Sequence, residues 1–140
     1  MNEVDKMIPK ALKAAPLYLL KVGKEDIIQK EYDGYAASLG ASIRTSGLIP
    51  ALAFYTDVHK EKKGSKEARR YKLLQALAYI LELDHEKEKA LLNKVIAEVF
   101  GENASSFNNP NIPVLKAWTE KILNASIALK LALRNFSHSE

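Results

Sequence analysis

A run of cationic side chains in the middle of the chain has the residue types and spacing to bind phosphate groups. Residues 59–72 (HKEKKGSKEARRYK) hold seven Lys or Arg residues and two Glu residues. Lys63, Lys66 and Arg70 follow an i, i+3, i+7 spacing, and Arg69 adjoins them, so a helix here would place cations along one face. Arginine adds bidentate geometry toward phosphate, and the segment is therefore a candidate site for a nucleic-acid backbone. On charge and spacing alone we favour the alternative, in which these residues form a solvated loop and an exposed first helical turn.

Other cations and aromatic residues add little to this candidate site. Lys6, Lys10 and Lys13 could form a second cationic row, but Pro9 interrupts it. Stacking on unpaired bases requires aromatic side chains among the cations, and Tyr71 alone adjoins the segment. Nothing in the sequence indicates recognition of base edges. We therefore expect any nucleic-acid contact to be with the backbone.

Residues that could carry catalysis are scarce in this sequence. There is no cysteine, which excludes disulfides and thiol catalysis. His59, His85 and His138 share no motif, and no two of them have the i, i+4 spacing of a helical metal site. A nucleophile elbow, a glycine-rich phosphate loop and a dinucleotide-binding fingerprint are also missing. We predict no catalytic residue, no metal and no cofactor, and hence a protein that is not an enzyme.

Size and composition indicate a weakly basic globular protein. A chain of 140 residues with a net charge of +4 has the length of one domain, and we expect a single α-helical domain over residues 1–140. The absence of cysteine, of an export signal and of a long apolar stretch predicts a cytoplasmic protein without membrane contact. Residues 82–102 hold six acidic residues and three lysines, so charge is unevenly distributed.

Hydrophobic spacing predicts an all-α bundle of about five to six helices. The first helix should be broken into pieces, because Pro9 and Pro16 cannot both lie in one undisturbed helix. A second helix is predicted over residues 26–46, ended by Gly47 in the left-handed conformation. Its small residues, among them Gly34 and Gly40, should allow a neighbouring helix to approach closely.

Four more helices are predicted beyond Gly47. Helix 48–58 has Pro50 in its first turn and is apolar nearly all round, which predicts a buried helix. The remaining three are predicted at 66–83 with Ser65 as N-cap, at 85–100 between Asp84 and Gly101, and at about 113–136.

The last predicted helix carries two apolar stripes. Trp118, Ile122 and Leu129 belong to one stripe, while Ile127 and Leu131 lie on another. Two such stripes indicate a helix that packs on both sides, either within the domain, which we favour, or between subunits.

One segment carries a resemblance to a known family. Residues 31–55 read EYDGYAASLGASIRTSGLIPALAFY, with a Tyr-anchored helix, a Ser46-Gly47-Leu48 break and a following Ala51-Leu52-Ala53-Phe54. This segment resembles the α-helical small subunit of type III-B CRISPR effector complexes, the Cmr family. The ending Leu133-Arg134-Asn135-Phe136 is similar to a basic–aromatic tendency near the end of that family's chains.

The resemblance implies a non-catalytic scaffold subunit acting in antiviral defence. Its partners would be other Cmr-complex subunits, further copies of itself in a short filament, and the crRNA–target RNA duplex, with no small-molecule substrate. The resemblance loosely supports Arg134 as an RNA contact, and charge and spacing supply the rest of the predicted set. The predicted RNA-backbone contacts are Arg44, Lys63, Lys66, Arg69, Arg70, Lys130 and Arg134, and the predicted subunit contacts are Ile127 and Leu131.

Two other functions remain open at the level of sequence. The protein could be an adaptor whose last helix binds a partner protein while the lysines only keep it in solution. It could also be a small helical enzyme with an active site that the sequence does not reveal.

Overall fold

The computed structural model confirms an all-α bundle. It describes residues 2–19, 27–28, 31–56, 66–87, 89–101 and 109–138, apart from the side chains at positions 28, 66–69, 137 and 138. Within these ranges the elements are α1 Glu3–Tyr18, β1 Ile27–Ile28, α2 Glu31–Ser46, α3 Leu48–Thr56, α4 Lys66–Ile80, α5 Ala90–Phe100, α6 Ile112–Leu133 and β2 Ser137–His138. Helix α6 packs against α1, α2, α4 and α5, and α4 packs against all five other helices.

Helix α1 is continuous, so the prediction of a first helix in pieces was wrong. Both prolines lie inside α1, and Asn2 caps its start by accepting the backbone N–H of Asp5 at 2.8 Å. Pro9 is exposed, so water can reach the backbone around the missing hydrogen bond. The opposite side of α1 buries Ala11 and Ala14 fully, and this packing against α4 and α6 holds the helix together.

Helix α2 begins at Glu31, later than the predicted start at Asp26, which lies outside the described residues. Ile27 and Ile28 are extended instead, and they pair in parallel with Ser137 and His138. The pair joins the segment before α2 to the segment after α6. Sequence spacing did not predict it, because two residues are too few for a strand pattern.

The break between α2 and α3 follows the prediction. Gly47 has a φ of +93°, a conformation that side chains disfavour, and Pro50 lies in the first turn of α3. Helix α3 is less buried than predicted. Leu52 and Tyr55 are in the core, but Phe54 is 59% exposed, because the opposite side of α3 faces solvent.

The connection between α4 and α5 is a turn where the sequence predicted helix. Helix α4 ends at Ile80, and α5 starts only at Ala90. Between them Glu82 has a φ of +61°, and the Asp84 carboxylate accepts the backbone N–H groups of Glu86 and Lys87 at 3.0 and 3.1 Å. Asp84 thus stabilises a local turn that competes with a helix start. Ser65, the predicted cap of α4, lies outside the described residues.

Helix α6 is capped by Asn111, whose side chain accepts the backbone N–H of Val114 at 3.2 Å. Of its two apolar stripes, the one with Trp118, Ile122 and Leu129 is buried. The other is only partly covered, since Ile127 is 40% exposed. The helix therefore packs mainly through one stripe.

Candidate nucleic-acid interface

A groove lies between α2 and α6, where small residues bring the two helices together. The buried Ser126 hydroxyl of α6 donates to the carbonyl of Ala36 on α2 at 3.1 Å, which joins the helix backbones closely. Above this contact the groove has a volume of about 200 Å³. We call it the α2–α6 groove; its lining is Ala36, Ala37, Gly40, Arg44, Leu123, Ser126, Ile127 and Lys130.

Two cations from different helices line the α2–α6 groove. Arg44 lies in the last turn of α2 and Lys130 in the last turn of α6, where positive charge is favoured by the helix dipole. The guanidinium lies across Gly40, since Arg44 Nη1 is 3.3 Å from the position that a Cβ atom would take there. Among the described residues neither cation forms an ion pair with a carboxylate. The groove therefore offers positive charge to an anion.

The other predicted cations lie elsewhere or outside the described residues. Arg134 is exposed and directly follows α6, but it is not part of the groove lining. Lys63 lies outside the described residues, as do the side chains of Lys66 and Arg69 at the start of α4. The backbone places Lys66 one helical turn before Arg70, so the predicted spacing is retained for these two residues.

Arg70 contacts an aromatic ring that the sequence analysis assigned to the core. Its guanidinium carbon lies 4.7 Å from the centre of the Phe54 ring, a cation–π contact between α4 and α3. The spacing of Leu48, Leu52 and Tyr55 on one side of α3 would have indicated that Phe54 points away from the core. The overall apolarity of α3 concealed this signal.

Comparison with known proteins decides the family. A profile described as CRISPR-associated protein (Cas_Cmr5) matches residues 10–126. The chain belongs to the Cmr5 family. The resemblance drawn from residues 31–55 is thereby confirmed, and the chain is CRISPR-associated. No curated protein matches this Cmr5-family chain.

A solved structure supports the same fold. A CRISPR-associated Cmr5 family protein from Thermus thermophilus superposes with a TM-score of 0.63 at 19% sequence identity. The match covers 98% of this Cmr5-family chain and 99% of the other chain. At this identity the match shows the fold alone. The shared arrangement of helices extends over nearly the whole chain.

The two predicted subunit-contact residues of this Cmr5-family chain differ in accessibility. Ile127 is 40% exposed and lines the α2–α6 groove, while Leu131 is half-buried. Both can contribute to a surface, but Ile127 offers the larger free area.

Outside the groove, a polar cluster of hydrogen-bonded titratable side chains lies at the end of α1. The Tyr18 hydroxyl contacts His85 Nδ1 and donates to Glu86 Oε1 at 3.1 Å. Gln75 Nε2 donates to the His85 carbonyl at 3.1 Å, which fixes the turn to α4. Burial, followed by the hydrogen bond and charge of Glu86, raises the pKa of Tyr18 to about 12.

The geometry of this cluster indicates a structural role. The adjoining cavity, lined by His85 and Gln75 among others, has a volume of about 10 Å³, which is about the space of one water molecule. The His85 ring is enclosed by the edges of Tyr18 and Tyr79, at centroid distances of 5.6 and 5.1 Å. The described side chains thus bond mainly to one another.

Two kinds of feature are missing from the described part of the chain. No group of three His, Asp or Glu side chains in these ranges is arranged to hold a metal ion. None of the helices that the structure describes is both long and apolar enough to cross a membrane.

Proposed function

We propose that this Cmr5-family chain is a non-catalytic subunit of a type III-B CRISPR effector complex that lies along the crRNA–target RNA duplex and contacts its backbone in the cytoplasm. The observation that carries the proposal is the α2–α6 groove, which Arg44 and Lys130 line from two helices without a carboxylate partner among the described residues. Membership of a CRISPR-associated family supports RNA as the polyanion.

The remaining predicted cations are proposed as further contacts. Arg70 and the first turn of α4 add positive charge, and Arg134 adds an exposed guanidinium beyond α6. Base pairing between guide and target supplies sequence recognition in RNA-guided systems, so the protein needs to hold only backbone and shape. The proposed contacts are Arg44, Lys63, Lys66, Arg69, Arg70, Lys130 and Arg134.

Charge reversal at the groove tests the proposal. In the assembled complex, the double variant Arg44→Glu/Lys130→Glu should weaken RNA binding. The slope of log K against log salt concentration should also become shallower by about 0.7–0.9 for each phosphate contact removed. Arg69→Glu/Arg70→Glu should act in the same direction at the start of α4.

A matched control separates local contact from net charge. Lys13→Glu/Lys116→Glu changes the net charge by the same amount at two exposed residues outside the groove, and should leave the salt slope unchanged. If both reversal variants bind RNA with wild-type affinity and salt slope, the proposed backbone contact is wrong. The assembled complex is required because one subunit makes few contacts and depends on the avidity of its neighbours.

We further propose that the chain binds other Cmr-complex subunits and further copies of itself in a short filament. The exposed side of Ile127, together with Leu131 one turn later, supports α6 as part of this contact. Ile127→Ser and Leu131→Ser should abolish assembly while the monomer keeps its helical circular dichroism and cooperative unfolding. Loss of folding would instead assign these side chains to the core.

An adaptor without nucleic-acid contact is the second candidate. The exposed Ile127 favours it equally, because a protein partner would use the same apolar surface. The two functions differ in the charge-reversal experiment: an adaptor assembles normally and shows no change in RNA binding when Arg44 and Lys130 are reversed.

A further inference from the structure

Phe54 is an unusual surface residue in this molecule. It lies on α3, whose other large side chains Leu48, Leu52 and Tyr55 are in the core, yet 59% of Phe54 is exposed. Burial would remove the apolar ring from water and stabilise the fold, and this position forgoes much of that gain. Solitary exposed apolar residues are common on proteins, so exposure alone assigns no role to Phe54.

The neighbour of the ring makes the position distinctive. The Arg70 guanidinium carbon lies 4.7 Å from the Phe54 ring centre, and the Tyr55 ring lies edge-on at 5.9 Å. The guanidinium lies over one face of this exposed ring, and the two groups form a cationic platform on which a further flat group can stack. Nucleobases are such groups, and the nucleotide that holds each base also has a phosphate that the guanidinium can attract.

The charge around the platform favours RNA over a protein ligand. Residues 66–72 contain four Lys or Arg residues and one Glu, so Phe54 adjoins the most basic segment of the chain. A protein-binding site would offer an apolar surface around its aromatic anchor. The other large apolar residues that the described ranges expose are Leu12, Leu17, Ile112 and Ile127, and none of these lies on α3 or α4. The ring thus contacts a cation of this basic segment, Arg70, which suits a site for a nucleic acid.

We infer that Phe54 and Arg70 form a stacking site for one unpaired RNA base, beside the backbone contacts. The inference rests on the proposed RNA function and adds to it a ligand of a different kind, the face of a base in place of a phosphate. Every base has such a face, so the site selects unpaired over paired nucleotides and has little sequence preference.

Nuclear magnetic resonance on the full chain can detect this contact even when binding is weak. Phenylalanine rings are labelled, and the protein is titrated with three RNA probes: a short single-stranded oligoadenylate, an abasic strand of the same length and charge, and a fully paired duplex. Base stacking should move the Phe54 ring protons upfield with the oligoadenylate only. The other three phenylalanines serve as internal controls.

Variants of Phe54 provide the matching affinity measurement. Phe54→Leu keeps an apolar side chain but removes the π-face, and should weaken binding of the oligoadenylate about five- to hundredfold. Phe54→Trp should retain binding. The salt slope should be equal in all three proteins, because no phosphate contact is lost. Thermal unfolding of each variant verifies that this exposed site tolerates the change.

The outcomes separate this inference from the proposed function. The stacking site would be overturned if the oligoadenylate and the abasic strand bound equally well, with a normal salt slope and no shift of the Phe54 ring protons. This result would leave the backbone contact intact. Absence of RNA binding both here and in the assembled complex would overturn both proposals. If Phe54→Leu weakened the binding of the oligoadenylate and of the abasic strand equally, stacking would also be contradicted, because the change would then act through Arg70.

Discussion

The polar cluster around Tyr18 and the α2–α6 groove use polar side chains in opposite ways. In the cluster, Tyr18, His85 and Glu86 contact one another, and Lys10 forms an ion pair with Glu82 in the same turn. In the groove, Arg44 and Lys130 meet no carboxylate of the described residues. Groups that bond to each other hold elements together, whereas cations left without such partners can bind a ligand.

This comparison separates charge that serves folding from charge that can serve binding. The sequence shows Lys10 and Lys130 as equivalent lysines on helices, and a count of charges treats them alike. Only the fold shows that one is neutralised by Glu82 and the other lines an open groove. The difference can be tested by substitutions in both regions.

The largest expected effect lies beneath the groove. Ile122→Ala removes a fully buried side chain of α6 and should lower the free energy of unfolding by about 2–5 kcal/mol. Ile127→Ser, on the groove lining and 40% exposed, should cost less than about 1 kcal/mol. Urea denaturation of both variants measures this contrast. Equal losses would show that the groove lining belongs to the core and is closed to ligands.

The next effect tests whether the polar cluster is structural. Tyr18→Phe removes the hydroxyl that contacts His85 and Glu86, and should cost about 1 kcal/mol near neutral pH. RNA binding by the assembled complex should not change. A variant that keeps its stability but loses RNA binding would contradict the assignment of this cluster to folding.

The same variant should alter the response to alkaline pH. Because burial raises the folded-state pKa of Tyr18 from 10.0 to about 12, folding favours its protonated form. Its contribution is complete below pH 10 and is lost as the pH rises toward 12. Wild-type protein should therefore lose more stability across this interval than Tyr18→Phe. Burial also raises the pKa of Tyr55, so part of the decline should remain in the variant.

A smaller effect compares two glycines of α2. Gly34 has no heavy atom within 4 Å of the position that a Cβ atom would take, so Gly34→Ala should gain helix propensity, about 0.5–1 kcal/mol. At Gly40 a methyl group would meet Arg44 Nη1 at 3.3 Å, so this flexible guanidinium would have to shift by a few tenths of an ångström. Gly40→Ala should therefore gain less stability than Gly34→Ala, and RNA binding should change little in either variant. Equal gains in urea denaturation would show that Arg44 moves away from Gly40 at no cost.

The smallest effect concerns the exposed ion pair. Lys10 lowers the pKa of Glu82 by its hydrogen bond and charge, so the pair stabilises the fold above the unfolded-state pKa of Glu82. This contribution is lost as the pH falls through the depressed value. Glu82→Gln should thus show a slightly shallower loss of stability in acid, and little difference near neutral pH. A large loss at neutral pH would mean that the pair is essential to the turn.

Helix content and the main break were predictable from local signals. Gly47 and Pro50 mark the end of α2 and the start of α3, and Gly101, with a φ of +84°, ends α5 as predicted. The small residues of α2 predicted a close helix neighbour, which is confirmed at Gly40 but not at Gly34. Such features depend on a few adjacent residues, so sequence alone carries them.

Errors arose where distant parts of the chain decide the local structure. Packing against α6 holds α1 together through Pro9, and the turn at Asp84 is fixed by Tyr18 and Gln75 from other helices. For the site, charge predicted Arg44 and Lys130 separately, but that both line one groove depends on the packing of α2 against α6, with its Ser126–Ala36 contact. Phe54 was missed because its exposure depends on which side of α3 the bundle covers.

The short parallel pair has a practical consequence for experiments on this protein. Ser137 and His138 pair with Ile27 and Ile28, so the backbone that follows α6 is anchored beside the segment that precedes α2. A surface-coupling group attached at position 138 would lie at this anchor, next to the start of α2 and the end of α6. Protein immobilised in this way should bind RNA less well than unmodified protein.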